Sequence, residues 1–452
     1  MKSSIAKGII GNGLAQIVLK VIRILDQLLL VPFFLTAWNA EYYGEWLTLS
    51  IIPTILAFSN FGFGTAVGNS FVLAYTAGDK QKAANLRKSG IFVIFCSIVI
   101  GAILTATALA GGKYFHLFEK SIIPEKEAIT AIALLMSGRL ITFYHLQIEG
   151  YFRAARKSVL SNFMLSGSSA ASLLAGFCAL LMGCDIVGYA FSQFIVSILF
   201  TILFFIVGNR IIDLKGYNGE YTRCDIKQIT SKGVGYMMDP VWQCIYFQGS
   251  TFVVRIVLGA ESVAVFNTMR TACRSVSQIF NVVNGSIFPE LQYEYGKGNM
   301  QTVHRLFRLS ILTSIIVGIL GTMLLAIFGL DLYNLWTQSI LSLPTNVWYT
   351  CVIGILFNGI WWTGMVAYPV TNKPYNFAIA STVTACLSVA ASYSLSIIFG
   401  LWGAVLGAIL FDFIMMMYVL PDGCRLLGMK AIELFTHIKE DFLFFKEKFI
   451  KK

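Results

Sequence analysis

The sequence predicts an all-α polytopic membrane protein: about twelve transmembrane helices in two six-helix lobes around a central cavity. Three observations carry this. First, 57% of the 452 residues are hydrophobic, only 13% are charged, and mean hydropathy is +0.73. A soluble domain carries about a quarter charged residues, so too few remain here to cover a water-facing surface. Second, apolar stretches of bilayer length recur along the whole chain. Third, Lys and Arg gather in every second loop.

Taken in order, the spans are read at 9–36, 46–76, 89–112, 128–152, 158–183 and 186–208 in the first lobe. The second lobe has 233–258, 263–290, 308–330, 346–371, 375–399 and 402–424. The lobes are accordingly 1–208 and 233–427, with a polar inter-lobe linker at 209–232 and a tail at 428–452. Span 1 is no cleavable signal peptide, because Lys20, Arg23 and Asp26 interrupt it and no small-residue cleavage site follows. Span 2 contains FGFGTAVG, whose Gly62, Gly64 and Gly68 look superficially like a nucleotide loop. No strand precedes them, so close helix packing is the better reading. In the tail, Phe435, Ile438, Phe442, Phe445 and Phe449 recur at helical spacing among lysines. That pattern predicts a basic amphipathic helix lying on the anionic inner leaflet, with a soluble partner-binding helix as the alternative.

The loop charges set the orientation. The N-terminus, the alternate loops and the tail hold 25 of the 34 Lys and Arg residues, and the intervening loops hold three. Basic loops stay cytoplasmic, so both termini are expected on that side. The same spread argues against nucleic acid as a partner, since a net charge of +11 is divided among many loops rather than focused in one patch. Most of the nine cysteines lie in apolar spans and the four histidines are scattered. Neither a disulfide framework nor a metal site is expected, nor any cofactor. No Walker A sequence and no nucleophile–base arrangement stands out, so the chain does not read as an enzyme.

Six basic residues remain inside the spans: Lys20, Arg23, Arg139, Arg255, Arg270 and Arg274. Each near mid-bilayer costs about 2.5–3.5 kcal/mol to insert, although Arg255 lies near a span end and can snorkel. The others sit on polar stripes. Span 1 carries Asn12, Gln16, Lys20, Arg23 and Gln27 on one face. Span 8 carries Asn267, Arg270, Thr271, Arg274, Gln278 and Asn281, span 7 carries Asp239, Gln243, Tyr246 and Ser250, and span 4 sets Thr142, His145 and Glu149 beside Arg139. Such stripes must face a polar interior. They could be helix–helix contacts, Arg23 with Asp26 or Arg139 with Glu149. As an ensemble, cations outnumber nearby acids, which suits an anionic substrate such as a phosphate or pyrophosphate. Lys20, Arg23, Arg139, Arg270 and Arg274 are therefore the substrate-binding candidates, and Asp26, Asp239 and Glu149 the candidates for ion coupling.

The halves also repeat weakly. At an offset of 220, Ala40-Glu41 aligns with Ala260-Glu261, Gly78 with Gly298 and Gln81 with Gln301, while Tyr151–Arg156 matches Tyr368–Lys373 at 217. Six spans per half imply a parallel repeat, an architecture suited to alternating access.

Several segments resemble the bacterial Wzx-type polysaccharide flippases. These are Glu41-Tyr-Tyr-Gly-Glu-Trp-Leu-Thr-Leu49, Asn60-Phe-Gly-Phe-Gly64 with Asn69, Gly78-Asp79 before a basic loop, and Ile287-Phe-Pro-Glu290 with Gly296-Lys-Gly298. The resemblance implies the fold of the multidrug/oligosaccharidyl-lipid/polysaccharide exporter superfamily. It further implies movement of undecaprenyl-pyrophosphate-linked oligosaccharide across the bacterial inner membrane, with membrane lipids and the polysaccharide polymerase machinery as partners. In that family cavity cations are thought to hold the pyrophosphate, a role that by position maps onto the five basic residues above. Two alternatives stand beside it. A multidrug exporter of the same superfamily should present an acidic, aromatic cavity to cationic drugs. A membrane glycosyltransferase or polymerase should carry acidic residues on a large outer loop, for which Glu119, Glu125 and Glu127 are poor candidates.

Overall fold

In the computed structural model the described residues, which are 8–22, 34, 37–38, 46, 62–114, 123–337 and 342–436, are almost entirely helical, joined by short turns and a loop at 212–222. It separates into two units, residues 10–237 (the N-lobe) and residues 1–9 with 238–452 (the C-lobe).

The N-lobe contains α1 (Gly8–Ile22), α2 (Phe63–Thr76), α3 (Lys80–Tyr114), α4 (Glu125–Ile141), α5 (Tyr144–Ala154), α6 (Ser158–Leu181) and α7 (Ile186–Ile211). Helices α4 and α5 together form span 4, interrupted at Thr142 and Phe143. The starts are specified locally. Asp185 accepts from the Gly188 N–H at 2.7 Å and caps α7. Glu125 and Glu127 place negative charge in the first turn of α4, at the positive end of its dipole.

The C-lobe contains most of α8 (Arg223–Gly296), then α9 (Met300–Trp336), α10 (Thr345–Gly364), α11 (Ala367–Thr371), α12 (Tyr375–Leu426) and the short α13 (Glu433–Thr436). Helices α8 and α12 each contain two spans. Gly259 (φ 87°) and Gly400 (φ 61°) break them with backbone that a Cβ would oppose, and each turns one span directly into the next. Helix α8 starts inside the linker read from the sequence: Asp225, 1% exposed, forms an ion pair with Lys82 of α3. Eight helical stretches among the described residues are long and apolar enough to cross a bilayer. The arm of α8 after Gly259 falls outside that set because it carries the predicted polar stripe.

The glycines of span 2 serve packing. A Cβ on Gly150 of α5 would lie 2.6 Å from the Gly68 Cα of α2, so these backbones touch. Around this contact Phe71, Tyr151, Phe152, Phe200 and Phe204 form a buried cluster, with the Phe152 and Phe204 rings stacked 5.0 Å apart. The C-lobe core is built on Trp242, Phe280, Trp348, Trp361 and Phe411. The beginning of the tail joins a third cluster, where Met429 and Leu434 are buried against Leu291, Phe307 and Val370. The amphipathic stretch of the tail beyond residue 436 lies outside the described residues.

Both halves use the same turns. After α2, Gly78 is left-handed and the Asp79 N–H returns to the Ala74 carbonyl at 3.0 Å; after α8, Gly298 and Asn299 to Glu294 repeat this at 3.0 Å. After α5, Arg156 (φ 57°) is left-handed and Lys157 returns to Phe152. After α11, Asn372 (φ 54°) is left-handed and Lys373 returns to Tyr368. The structural register of this second pair is therefore 216, one residue from the alignment of the sequences.

Candidate functional site

The polar stripes of spans 7 and 8 meet because Gly259 folds α8 back on itself. Phe247, Ser250 and Thr251 before the turn then face Asn267 and Arg270 after it. Arg270 fills this junction. It donates to the Phe247 carbonyl (3.3 Å), Ser250 Oγ (3.1 Å), Thr251 Oγ1 (3.0 Å) and Asn267 Oδ1 (2.8 Å). Its guanidinium also lies 5.3 Å from the Phe247 ring centroid and 5.0 Å from that of Phe266. Four of its five N–H donors are thus engaged, and since every acceptor is neutral the charge stays uncompensated by any acid among the described residues.

One turn further on, Arg274 lies 4.3 Å from the centroid of the same Phe247 ring. Its guanidinium makes no hydrogen bond or ion pair among the described residues, and its side chain is exposed to a cavity of about 120 Å³. Phe247 is thus a shared floor for two cations. Arg270 is pinned against it, and Arg274 is oriented on it with its donors open.

The rest of the cavity wall comes from spans 7, 10 and 12. Trp361 and Trp362 of α10 pack edge to face at 5.2 Å. The Trp362 indole N–H donates to Asn281 Oδ1 at 2.8 Å. Opposite them is a carboxylate that the sequence reading did not single out. Asp412 Oδ1 accepts from Asn358 Nδ2 (2.9 Å) and Trp361 Nε1 (2.8 Å), and its Oδ2 has no partner among the described residues. Ser277 in turn donates to Asn358 Oδ1 at 3.1 Å.

The N-lobe has a separate cavity of about 270 Å³, lined by Arg139, Thr142, Ser172, Tyr189, Gln193 and Ser197 among others. Ser172 and Gln193 hydrogen-bond each other. Arg139 is exposed to the cavity, with no side-chain partner among the described residues.

The remaining candidates fall elsewhere. Arg23 and Asp26 lie outside the described residues, so their pairing is not among the contacts described. Lys20 is half-buried on α1, whose Asn12 and Gln16 bond Asn162 of α6 at 3.1 and 3.5 Å. Those two members of the span 1 stripe therefore serve helix packing. Asp239 accepts from the Trp242 indole one turn along its own helix at 3.3 Å, and does not line the C-lobe cavity. Glu149 is half-buried with no hydrogen bond among the described residues, and no ion pair joins it to Arg139. His145 is used for packing: it bonds Thr201 at 2.8 Å and meets Phe200 and Phe204 edge to face.

No protein-family model matches the chain, and no curated protein matches it in sequence. Solved structures match nearly all of it. A MATE crystallised in the bent conformation gives a TM-score of 0.79 at 15% identity, covering 98% of both chains. An outward-facing multidrug resistance MATE family transporter of the MOP superfamily gives 0.74 at 14% identity, over 93% of this chain and 96% of that one. A third is a MOP superfamily transporter from Pyrococcus furiosus, described as having a binding pocket of reversed polarity that suggests a different function. It gives 0.72 at 13% identity, again over 93% and 96%. The chain thus shares the fold of these MATE and MOP superfamily structures. Two of these neighbours are described as transporters.

Proposed function

We propose that the protein is a flippase. It moves undecaprenyl-pyrophosphate-linked oligosaccharide from the inner to the outer leaflet of the bacterial cytoplasmic membrane by alternating access, with both termini cytoplasmic. The observation that carries this reading is Arg274: a guanidinium held on an aromatic face beside a second arginine, with its donors unpaired and no acid paired to either among the described residues. Inserting two such cations costs several kcal/mol, which marks them as functional candidates, and an anionic cargo is the ligand whose charge they would balance. A pyrophosphate supplies bridging and terminal oxygens that match a guanidinium fork, in surroundings where charge-assisted bonds are stronger than in water. Arg270 has its donors engaged by protein acceptors, so its part is to fix Phe247 and add field. Lys20, Arg23 and Arg139 add positive charge in the N-lobe. Asp26, Asp239 and Glu149 are proposed as proton or cation carriers that couple transport to a gradient. The polysaccharide polymerase machinery is the proposed downstream partner.

One observation favours a second reading. Asp412, with a free oxygen beside Trp361 and Trp362, is the acidic, aromatic pairing expected of a pocket for cationic drugs. Deleting the gene and analysing the cell's lipid-linked glycans separates the two. The flippase reading predicts accumulation of complete, unflipped repeat units. Unchanged glycans together with increased retention of a cationic dye would support the exporter instead.

A further inference from the structure

Beside its arginines the C-lobe cavity carries two thiols. Cys273 of α8, after the turn at Gly259, and Cys351 of α10 both line its wall, and their side chains face each other within hydrogen-bonding reach. Both are free thiols, Cys273 buried and Cys351 half-buried. Their contact is one rung of a ladder that joins spans 8 and 10. One turn further along, Ser277 Oγ donates to Asn358 Oδ1 at 3.1 Å. Beyond it the Trp362 indole donates to Asn281 Oδ1 at 2.8 Å, and Asn284 Nδ2 donates to the Trp362 carbonyl at 2.8 Å. Those rungs are reversible hydrogen bonds, whereas the thiol rung can become covalent. Thiols that react are partly exposed, lie beside a cation and have a second thiol within reach. Cys351 meets all three conditions: it is half-buried at the cavity wall, within electrostatic reach of the Arg270 guanidinium, and against Cys273. The cavity volume of about 120 Å³ has room for about four waters, enough for a small peroxide.

We propose that Cys273 and Cys351 are a modification site, a pair that a small peroxide oxidises to a disulfide tying span 8 to span 10. The Cys351 thiolate attacks one peroxide oxygen, the O–O bond breaks, and the departing hydroxide takes up the thiol proton and leaves as water. The Cys273 sulfur, giving up its own proton, then attacks the sulfenic sulfur of Cys351. The S–O bond breaks, the S–S bond forms and a second water leaves. Two thiols have lost two electrons, and one peroxide has been reduced to two waters. An S–S bond of about 2 Å is shorter than any contact between free thiols, so the two helices are drawn together at that rung. Arg274 follows Cys273 directly in the chain, so the wall that carries it is held as well. Alternating access requires the walls of a cavity to rearrange, and a covalent rung between two of them is a brake. The brake acts whatever the cargo, and so stands apart from the flippase reading.

The test uses the full-length protein in liposomes, with each protein compared with itself before and after hydrogen peroxide. Mass spectrometry should find a crosslinked peptide pair holding Cys273 and Cys351, lost again on dithiothreitol. Cys273→Ser should leave Cys351 as a sulfenic acid that dimedone traps. Cys351→Ser should give neither a crosslink nor a dimedone label at Cys273. Cys273→Ala and Cys351→Ala serve where a Ser variant does not insert. Hydrogen exchange in the span 8 and span 10 peptides around the pair should slow in the oxidised parent and in neither variant, a readout that needs no cargo. Transport by the parent should fall at least about tenfold on oxidation and recover on reduction, while each variant transports equally before and after peroxide. Transport is read with a lipid-pyrophosphate-linked sugar and with rhodamine 6G. A protein that moves only the dye refutes the flippase reading alone and still reports the brake; should neither cargo move, exchange decides the brake. Thiols that stay reduced at a peroxide dose that oxidises the exposed Cys178, Cys244 or Cys386 would overturn the pair. A crosslink that leaves transport intact would overturn the brake.

Discussion

The two lobes each contain a cavity with an arginine at its wall, and they solve the problem of keeping it there differently. In the N-lobe, Arg139 stands among hydroxyls and an amide that are partly satisfied by each other, with Ser172 bonded to Gln193. Among the described residues none bonds its guanidinium. In the C-lobe, Arg274 rests on Phe247, and Phe247 is itself gripped by Arg270, whose four neutral acceptors come from both arms of α8. The difference is one of preorganisation. A guanidinium already held in place loses less freedom when it binds, so more of its interaction appears as affinity. The C-lobe should therefore carry recognition, and the N-lobe cation should act mainly through its field.

The sharpest way to break this comparison is at Arg270. Arg270→Gln removes four hydrogen bonds and frees Phe247, although the Phe247 carbonyl and Asn267 Oδ1 keep the Thr251 hydroxyl as a donor. The variant should destabilise the folded protein by about 1–3 kcal/mol. Its thermal midpoint should fall and its complementation should drop by about tenfold or more, even when expression is matched. A midpoint equal to the parent's would remove the clamp from the account. Next in size is Arg139→Ala. If the N-lobe contributes field alone, complementation should weaken by about threefold, because an unoriented, solvated charge contributes little beyond screening distance. A loss as large as that at Arg270 would make the lobes equal partners.

Two smaller effects separate packing from function within the N-lobe. Lys82→Met leaves Asp225 buried without its counter-charge and should cost about 1–3 kcal/mol in stability, with activity per folded molecule unchanged. Asp213 is a contrast. The hydrogen bond from Lys80, at 3.3 Å, holds its carboxyl below the usual range. Its folded pKa is depressed, so any stabilisation exists at neutral pH and disappears as the pH falls through that lowered value. The pair is exposed, with Asp213 at 66% side-chain accessibility, so Asp213→Asn should leave the midpoint at pH 7 within error.

Much of this was legible in the sequence, and the rest was hidden for identifiable reasons. Helical periodicity grouped Gln243 with Tyr246 in span 7 and Arg270, Arg274, Gln278 and Asn281 in span 8, which line one cavity, but it also put Asp239 on the stripe, which does not. It also placed Asn12 and Gln16 on one face, but could not tell that the face meets Asn162, which lies about 150 residues away. Asp412 escaped notice because it is a lone acid between Phe411 and Phe413 in an apolar run. Its partners Asn358 and Trp361 belong to another span, so no local spacing reveals them. The distinction between Arg270 and Arg274 was likewise invisible. Both sit on the stripe, and only the fold at Gly259 decides which one is enclosed by acceptors. The glycines fared better: Gly78 before Asp79 and Gly298 before Asn299 occupy similar turns and both have positive φ, while the 216-residue register of the second turn pair was masked by the chance match of Arg156 with Lys373.

The central claim is that Arg274 recognises an anionic cargo, and reconstitution addresses it most directly. The purified full-length protein and its Arg274→Ala variant, inserted in liposomes at equal density, would be given a lipid-pyrophosphate-linked sugar and, separately, rhodamine 6G. The account predicts that the parent translocates the lipid-linked sugar and the variant does so at least about tenfold more slowly, while neither moves the dye. Translocation of the lipid-linked sugar at equal rates by both proteins, or dye transport by the parent that the variant accelerates, would contradict it.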